Sequence, residues 1–432
     1  MVVTAEDLVV GPVDLPVAPS ALELLLARGR LRASLAMLGP AFVASVAYVD
    51  PGNFATNFQG GAQFGFLLLW VVLAANVMAM LVQYLSAKLG VVTDRDLPEL
   101  CRARYRPAVA VLLWVQAEVM AMSTDVAEFT GAALGLNLLF GVPLLTAGLI
   151  TSVLAYAVLG LQARGYRRFE VAVTALLAVV FAGFLYQTVR SGPPAHAALV
   201  GLVPHLAGRD SVLLAVGILG ATIMPHAIYL HGALTKKRMP CRDDAERARV
   251  LRFQRTDVIV ALTLAGVVNM AMLAIAATLF HNPSNHGLGT LSEVHTGLAR
   301  SLGGGAALAF AVALLASGAS SSSVGTYAGQ VVMAGFVHRH IPLLLRRGLT
   351  MLPALSLLAA GVDPTRALVL SQVVLSFGIP AALIPLVLIT RDRNVMGVHV
   401  NCASTTIAAT VVAAIVTALN AVLIYQQLLG SS

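Results

Sequence analysis

Two short motifs place polar side chains inside otherwise apolar stretches of the chain. The first, AYVDPGNFATN, runs from Ala47 to Asn57. A carboxylate such as Asp50 in the middle of a membrane span costs roughly 2.5–3.5 kcal/mol, so it must face a cavity or a partner. Pro51 has no N–H for the carbonyl of Ala47 and disfavours helical geometry at the preceding residue, so a helix break is predicted. Asp50, Asn53 and the freed carbonyl are therefore predicted to converge on one polar pocket.

The second motif, GATIMPHAIYLH, runs from Gly220 to His231. Pro225 leaves the carbonyl of Ala221 without its helical partner, and Met224 and His226 flank the proline. Two broken helices at matching positions are the best sequence indication of a binding site at the membrane midplane. The alternative interpretation is that each proline merely kinks an unbroken helix.

A third polar feature is a stripe of acids in one apolar stretch, Glu118, Asp125 and Glu128. Helical periodicity places all three within an arc of about 80° on one face. Arg346 and Arg347, in another predicted span, offer countercharge. Two interpretations are open: a structural ion-pair network that holds spans together, or a chain of acids and arginines that relays protons.

The elements that position these residues follow from composition. Hydrophobic residues make up 58% of the 432 residues and charged residues only 11%. Soluble domains carry roughly 25% charged residues, so an all-α integral membrane protein is predicted. Apolar stretches long enough to cross the bilayer recur eleven times. They lie near 34–58, 66–89, 108–138, 142–160, 170–189, 211–235, 257–280, 306–336, 341–361, 365–389 and 402–428.

The predicted spans divide into two sets of five, at 34–190 and 211–390, with an additional eleventh span at 402–428. Because five is an odd number, the second set must be inverted relative to the first. Each set begins with one of the two broken helices, as expected for inverted repeats. Residues 1–33 are predicted to form a disordered cytoplasmic tail.

If consecutive spans cross the membrane in opposite directions, the basic residues are distributed unevenly between its two sides. Of the 28 Lys and Arg residues, 21 fall in segments on the side of the N-terminus and four on the other side. Because cytoplasmic loops carry the excess of positive charge, the N-terminus is predicted inside and the C-terminus outside. This topology explains the net charge of +8 without a nucleic-acid partner. The basic segment Lys236–Arg255 is predicted to be a solvated helix on anionic lipid headgroups.

The motifs DPGN and MPH, the eleven-span layout and the acidic third span resemble the Nramp (natural resistance-associated macrophage protein) family, specifically its bacterial manganese-transporter branch. The resemblance covers residues 33–428 and implies a leucine-transporter-type fold. The metal ligands that it implies are Asp50, Asn53, Met224, the carbonyls of Ala47 and Ala221, and Gln372. The proton-pathway residues that it implies are His226, His231, Glu118, Asp125, Glu128, Arg346 and Arg347.

Ligand chemistry points to the same class of substrate. A carboxylate and amide oxygens alone would suit Mg²⁺ or Ca²⁺. A thioether from Met224 adds affinity for softer ions such as Mn²⁺, Fe²⁺, Co²⁺ or Cd²⁺, although a buried Met more often only packs. The predicted function is therefore proton-coupled import of Mn²⁺ or a similar metal across the inner (plasma) membrane. No cofactor and no obligatory protein partner are expected; the partners are the metal ion, protons and the lipid bilayer.

Other classes of protein fit the sequence less well. A membrane metalloenzyme would show an HExxH-type pair and a primary pump would show GxxxxGK[ST], and the sequence contains neither motif. No enzymatic activity is therefore expected. A sodium-coupled small-molecule symporter of similar fold is the alternative by architecture, although it would not need Asp50 and Met224 together. A divalent cation channel is the remaining alternative.

Overall fold

The structure, a computed structural model, describes residues 21–27, 29, 39–163, 166–236, 238–281, 289–337 and 343–429. Within these ranges the chain is built from helices and contains no β-strand. The α-helices are α1 (Ala21–Ala27), α2 (Pro40–Val46), α3 (Pro51–Phe64), α4 (Leu69–Thr93), α5 (Leu97–Arg104), α6 (Pro107–Phe140), α7 (Leu144–Ala163), α8 (Tyr166–Ser191), α9 (Ala195–Val200), α10 (Gly208–Thr222), α11 (Pro225–Thr235), α12 (Asp244–Leu279), α13 (Leu291–Leu302), α14 (Gly304–Val337), α15 (Leu343–Ala359), α16 (Pro364–Thr390), α17 (Arg393–Met396) and α18 (Ala403–Leu429).

Eight helical stretches of the described chain are long and apolar enough to cross a membrane. They are Pro51–Thr93, Pro107–Phe140, Val171–Ser191, Gly208–Thr235, Asp244–Leu279, Gly304–Val337, Pro364–Thr390 and Ala403–Gln426. Shorter apolar helices lie at Pro40–Val49, Leu144–Leu154 and Gly348–Ala359. The prediction of an all-α fold is confirmed for the described residues, and these stretches agree with a multi-pass membrane protein, whereas the count of eleven crossings stays a prediction.

The first predicted break is present between α2 and α3. α2 ends at Val46, a single 3₁₀ turn covers Ala47–Val49, and α3 begins at Pro51. Asp50 is extended between them (φ −85°, ψ 169°), and its side chain accepts the backbone N–H of Asn53 at 2.8 Å. Asp at the N-cap followed by Pro at the first helical position is a favourable helix start. The same residues that stop one helix therefore begin the next.

The second predicted break is present between α10 and α11. α10 ends at Thr222 and α11 begins at Pro225. Met224 between them is extended (φ −74°, ψ 125°). Each of the two prolines thus starts a new helix after non-helical backbone. The alternative in which a proline only kinks a continuous helix is wrong at both positions.

Part of the N-terminal segment departs from the prediction. Residues 21–27 form α1, and the side chain of Leu22 is fully buried against Val91, Val250 and Leu251. Disorder is therefore the wrong prediction for these residues, because an apolar side chain docks onto the helical body. The rest of 1–33, apart from residue 29, lies outside the described residues.

The second half of the basic segment Lys236–Arg255 belongs to a long helix. α12 begins at Asp244, so the second half of this segment is the start of one 36-residue helix that ends at Leu279. The side chain of Asp243 caps this helix by accepting the backbone N–H of Glu246 at 2.7 Å. The predicted helix is therefore present after Asp243, whereas its contact with lipid headgroups stays a prediction.

Small residues let α6 approach its neighbours closely. A Cβ at Gly131 of α6 would overlap the ring of Pro51, and a Cβ at Gly318 of α14 would come within 2.8 Å of the Ala132 side chain. Small residues at such contacts allow membrane helices to pack backbone against backbone. The helix that carries the acidic stripe therefore packs directly on the first break.

Four phenylalanines hold α3 against α8 and α14. Phe54 and Phe58 of α3 interleave with Phe184 and Phe310, and their ring centroids are 5.0 to 6.1 Å apart. Edge-to-face and tilted pairs at this spacing are favourable beyond their apolar burial. The helix that follows the first break is thereby fixed in position.

The start of α2 is held by a residue of another helix. Asp257 of α12 accepts the backbone N–H of Gly39 at 3.3 Å and that of Ala41 at 2.9 Å. α2 has no side-chain cap of its own, so these bonds satisfy two of its orphan N–H groups. Asp257 is fully buried, which places the capping interaction in a low-dielectric environment.

We expect Asp257→Ala to lower the midpoint of thermal unfolding in detergent, because it leaves two buried N–H groups unpaired at a cost of about 1–3 kcal/mol each. Asp257→Asn keeps one acceptor oxygen and should lower the midpoint less. Asp210→Ala removes an exposed Asp from the first turn of α10 and serves as the control. Equal midpoints for Asp257→Ala and Asp210→Ala would contradict the capping role.

Candidate metal-binding site

The two helix breaks are joined by one side chain. The Asn53 Nδ2 group donates to Asp50 Oδ1 at 2.8 Å and to the carbonyl oxygen of Ala221 at 3.0 Å. Pro225 cannot donate to that carbonyl, so it is open to a partner from outside its helix. The polar pocket predicted at the first break therefore includes the carbonyl freed at the second.

Met224 and Gln372 complete the surroundings of the two breaks. The Met224 side chain is fully buried. Gln372 of α16 lies against both breaks: a Cβ at Gly52 would overlap its side chain, and a Cβ at Gly220 would overlap its backbone carbonyl. Glycine is required at both positions for this close approach. The helix that carries Gln372 is thereby held against both breaks.

Buried oxygen atoms at this site lack hydrogen-bond donors. Asp50 Oδ2, Asn53 Oδ1 and Gln372 Oε1 are buried, and none has a partner within the described part of the chain. Leaving a buried acceptor unpaired costs about 1–3 kcal/mol, and more when it is charged. A cation bound among these oxygens would relieve that cost, because it supplies the positive charge that they lack.

The donor set is unusual for a metal site. Among the described residues no three His, Cys, Asp or Glu side chains lie close enough together to hold a metal ion. Any ion at the breaks would therefore be held by one carboxylate, amides, backbone carbonyls and a thioether. Such a set is mostly neutral and suits an ion that must also be released.

The carbonyls at the first break are stabilised by other helices. The carbonyl of Tyr48 accepts the Asn269 amide at 2.7 Å, and that of Val49 accepts the Ser317 hydroxyl at 2.6 Å. Sequence reasoning did not single out these carbonyls and pointed instead to Ala47, which is buried. Metal binding by the Ala47 carbonyl stays a prediction.

His226 follows the second break and contacts the acidic helix. Its Nδ1 lies 3.2 Å from the hydroxyl of Thr124, which donates to the Met120 carbonyl at 3.0 Å. The tautomer of the His226 ring decides whether Nδ1 or the Thr124 hydroxyl donates. Nε2 is buried and has no partner among the described residues. Thr124, which the sequence did not single out, precedes the predicted relay residue Asp125.

His231 belongs to a second polar chain. Its Nδ1 lies 2.8 Å from Gln83 Oε1, and Gln83 Nε2 donates to the Tyr48 hydroxyl at 2.6 Å. All three side chains are buried, so the chain ties α11 and α4 to the turn at the first break. Gln83 was not predicted from the sequence. Its signal was an amide in an otherwise apolar helix.

The acidic stripe runs along α6 away from the first break. Glu128 lies against Gly325 of α14, where a Cβ would come within 3.0 Å of its carboxylate. Glu118, ten residues and about 15 Å earlier on α6, accepts a hydrogen bond from Arg346 at 2.9 Å. Asp125 is buried between them. The predicted pairing of acid and arginine is thus present for Arg346, whereas the side chain of Arg347 lies outside the described residues.

A cluster of ion pairs lies at the C-terminal end of α11. Lys236 pairs with Asp96 and with Glu99, the latter at 3.0 Å, and Asp96 and Glu99 form a capping box at the start of α5. Burial raises the pKa of Asp96 although Lys236 lowers it. Sequence reasoning missed this cluster, since its partners are 137 and 140 positions apart.

A family model and a known protein both match nearly the whole length of this chain. A family model described as natural resistance-associated macrophage protein-like matches residues 41–426. The "Divalent metal cation transporter MntH" of Deinococcus radiodurans is 50% identical over 400 residues, covering 93% of this chain and 92% of that protein.

Two solved structures resemble this chain in the arrangement of their helices. The Eremococcus coleocola manganese transporter, solved with an aromatic bis-isothiourea compound, has a TM-score of 0.84 and 33% identity, covering 93% of this chain and 88% of that chain. Mhp1, a nucleobase-cation-symport-1 family transporter, has a TM-score of 0.58 at 13% identity, covering 89% and 93%. The likeness to Mhp1 concerns the fold alone.

Members of the matched family are transporters and not enzymes, which agrees with the sequence-based expectation. The solved neighbours support a transporter fold of the leucine-transporter type, while the inversion of the two repeats stays a prediction. The family model spans nearly the whole chain, and the two broken-helix motifs lie within the match. The chain belongs to the Nramp family.

Proposed function

We propose that this protein imports divalent transition-metal ions, Mn²⁺ and also Fe²⁺, Cd²⁺ or Co²⁺, across the plasma membrane together with protons. The observation that carries the proposal is the cluster of unpaired buried oxygens where two broken helices meet beside a buried thioether. The names of the Deinococcus and Eremococcus relatives, a divalent metal cation transporter and a manganese transporter, support it.

The proposed ligands are the side chains of Asp50, Asn53, Met224 and Gln372 and the carbonyls of Ala47 and Ala221. The Asn53 amide holds the pocket together by donating to Asp50 and to Ala221. A rotation of this amide by about 180° exchanges its nitrogen and oxygen, so that three oxygens can face a cation. The ion would thus replace the amide NH₂ as the bridge between the breaks.

The thioether of Met224 would set the class of metal. Ca²⁺ and Mg²⁺ prefer oxygen ligands, whereas thioethers favour softer ions. Among transition metals the ligands do not choose Mn²⁺, because the Irving–Williams order ranks it weakest. Availability in the cell would therefore decide which metal is carried.

Transport would proceed by alternating access around a fixed site. The side chains of Asp50, Asn53, Met224 and Gln372 are at most 1% exposed, so an ion at the site is enclosed. Entry and release then require movement of helices on one side at a time. The extended residues at the two breaks are suitable hinges, and inverted repeats at 34–190 and 211–390, with an additional helix at 402–428, would pair them.

Protons would follow a route beside the metal site. His226, with an unpaired Nε2, contacts Thr124, and the acidic stripe extends from Asp125 and Glu128 to the Glu118–Arg346 pair. With the N-terminus inside, the beginning of α6 is cytoplasmic, so this route leads inward. We assign His231 and Arg347 to the same proton pathway on the family resemblance.

Two other functions explain fewer features of the proposed site. A sodium-coupled symporter of similar fold has no need of a buried thioether beside a single carboxylate. A channel needs a continuous path, whereas the site residues are enclosed. A purely structural role for the Glu118–Arg346 pair is the alternative to a proton relay, and uptake measurements distinguish the two.

We expect Asp50→Ala to abolish Mn²⁺ uptake into proteoliposomes, because it removes the one carboxylate among the proposed ligands. Asp210→Ala, which removes an exposed Asp, should retain uptake. Elution as a single symmetrical peak in size-exclusion chromatography checks that both variants are folded. Normal uptake by folded Asp50→Ala would refute the site assignment.

Met224→Ala should alter selectivity, because it removes the soft ligand and leaves an oxygen set. Cd²⁺ uptake should fall more than Mn²⁺ uptake, by about tenfold or more, and Ca²⁺ should begin to compete. Met396→Ala is the matched control, because Met396 is about equally buried but lies in α17, after the end of α16 and outside both broken-helix motifs. If the two variants show the same ratio of Cd²⁺ to Mn²⁺ uptake, Met224 only packs.

An inward proton gradient should stimulate Mn²⁺ uptake by the unmodified protein. Asp125→Asn should lose most of this stimulation while Mn²⁺ binding, measured by calorimetry, changes by less than about threefold, because the residue would relay protons and not hold the metal. Asp363→Asn, a change in an exposed helix cap, is the control. Equal losses of binding and proton stimulation in Asp125→Asn would favour a structural or ligand role.

A further inference from the structure

A half-open apolar groove lies between three helices, apart from the proposed metal and proton routes. Its volume is about 200 Å³. Phe42 of α2 forms one wall, Leu177 and Phe181 of α8 form the second, and Leu264 and Val268 of α12 form the third. None of these residues takes part in the functions assigned above.

The chemistry of the groove excludes an ion or a polar solute. Seven of its eight lining residues are apolar, and Thr174 is the exception. Water gains little in such a cavity, because it needs two to four polar partners. An empty groove would also leave its wall atoms without dispersion contacts on one side. A flexible apolar occupant therefore fits the groove best.

The depth of the groove places it among hydrocarbon chains. Leu264 and Val268 lie seven and eleven residues beyond Asp257, which holds the first turn of α2, so the rise along α12 is about 10–16 Å. The groove opens onto the outer surface of the helices, where Leu264 is 38% exposed and Val267, beside it, is 44% exposed. In a multi-pass membrane protein this surface faces the bilayer, so the groove is continuous with the lipid interface.

We propose that the groove binds one acyl chain of a phospholipid from the leaflet on the side of the N-terminus. Its volume is below the roughly 300–1,000 Å³ of pockets for drug-sized ligands and suits a section of a single chain. The bound acyl chain would contact Phe42. This residue lies three positions after Gly39, whose backbone N–H donates to Asp257. The bound lipid therefore packs against the half of the first broken helix that precedes Asp50.

The site is tested by lipid binding, which does not depend on metal transport. Delipidated protein in mild detergent is titrated with phosphatidylglycerol, and bound lipid is counted by native mass spectrometry. We expect about one tightly bound lipid per chain. Ala178→Phe places a ring in the groove and should lower its affinity at least about tenfold. Ala175→Phe makes the same change at an exposed alanine of the same helix outside the groove and should bind normally.

Leu264→Trp fills the groove from α12 and provides a second test if Ala178→Phe does not fold. Phosphatidylglycerol with a photoreactive group in its acyl chain should label peptides that contain Leu177 or Leu264. Equal affinity in the groove-filling and control variants would overturn the proposal. So would labelling spread evenly over the apolar surface, which indicates annular lipid only.

Discussion

The hydrogen bonds from Asn53 to Asp50 and to the Ala221 carbonyl join two helix ends. Without such bonds, unpaired backbone groups at these ends would be unfavourable inside a membrane. Non-helical backbone inside a bilayer is tolerated only where it is buried in protein or lines a cavity. Here a side chain at the first break satisfies a carbonyl at the second. The proposed metal site is a consequence of this constraint, because buried oxygens at the breaks are left without hydrogen-bond donors.

The neighbouring helices pack closely around the two helix breaks. Gly131 lets α6 pack on Pro51, and Gly52 and Gly220 let Gln372 lie against both breaks. Asn269 and Ser317 satisfy carbonyls at the first break, which fixes the backbone that presents Asp50. Close packing around the extended residues accounts for an enclosed site, and in the proposed transport cycle these residues would be the hinges that open it. The same packing brings Thr124 to His226 and so connects the site with the acidic stripe.

Much of this arrangement could be predicted from local sequence. Proline after Asp50 and after Met224 breaks a helix whatever surrounds it, and both breaks are present. The partners across the structure could not be predicted this way, because Gln83, Thr124 and Asp96 pair with residues more than 100 positions away. Gln372 came from family resemblance alone. Docking of α1 was missed because a helix of seven residues is too short to give a periodic signal in the sequence.

Anomalous X-ray diffraction from crystals soaked in Mn²⁺ tests the central claim most directly, since it locates the ion without reference to transport. The account predicts one strong peak between Asp50 and Met224, within bonding distance of Asn53 and the Ala221 carbonyl. It also predicts that the peak is lost in Asp50→Ala crystals grown in the same form. A peak away from the two breaks, or one that persists in Asp50→Ala, would contradict the account.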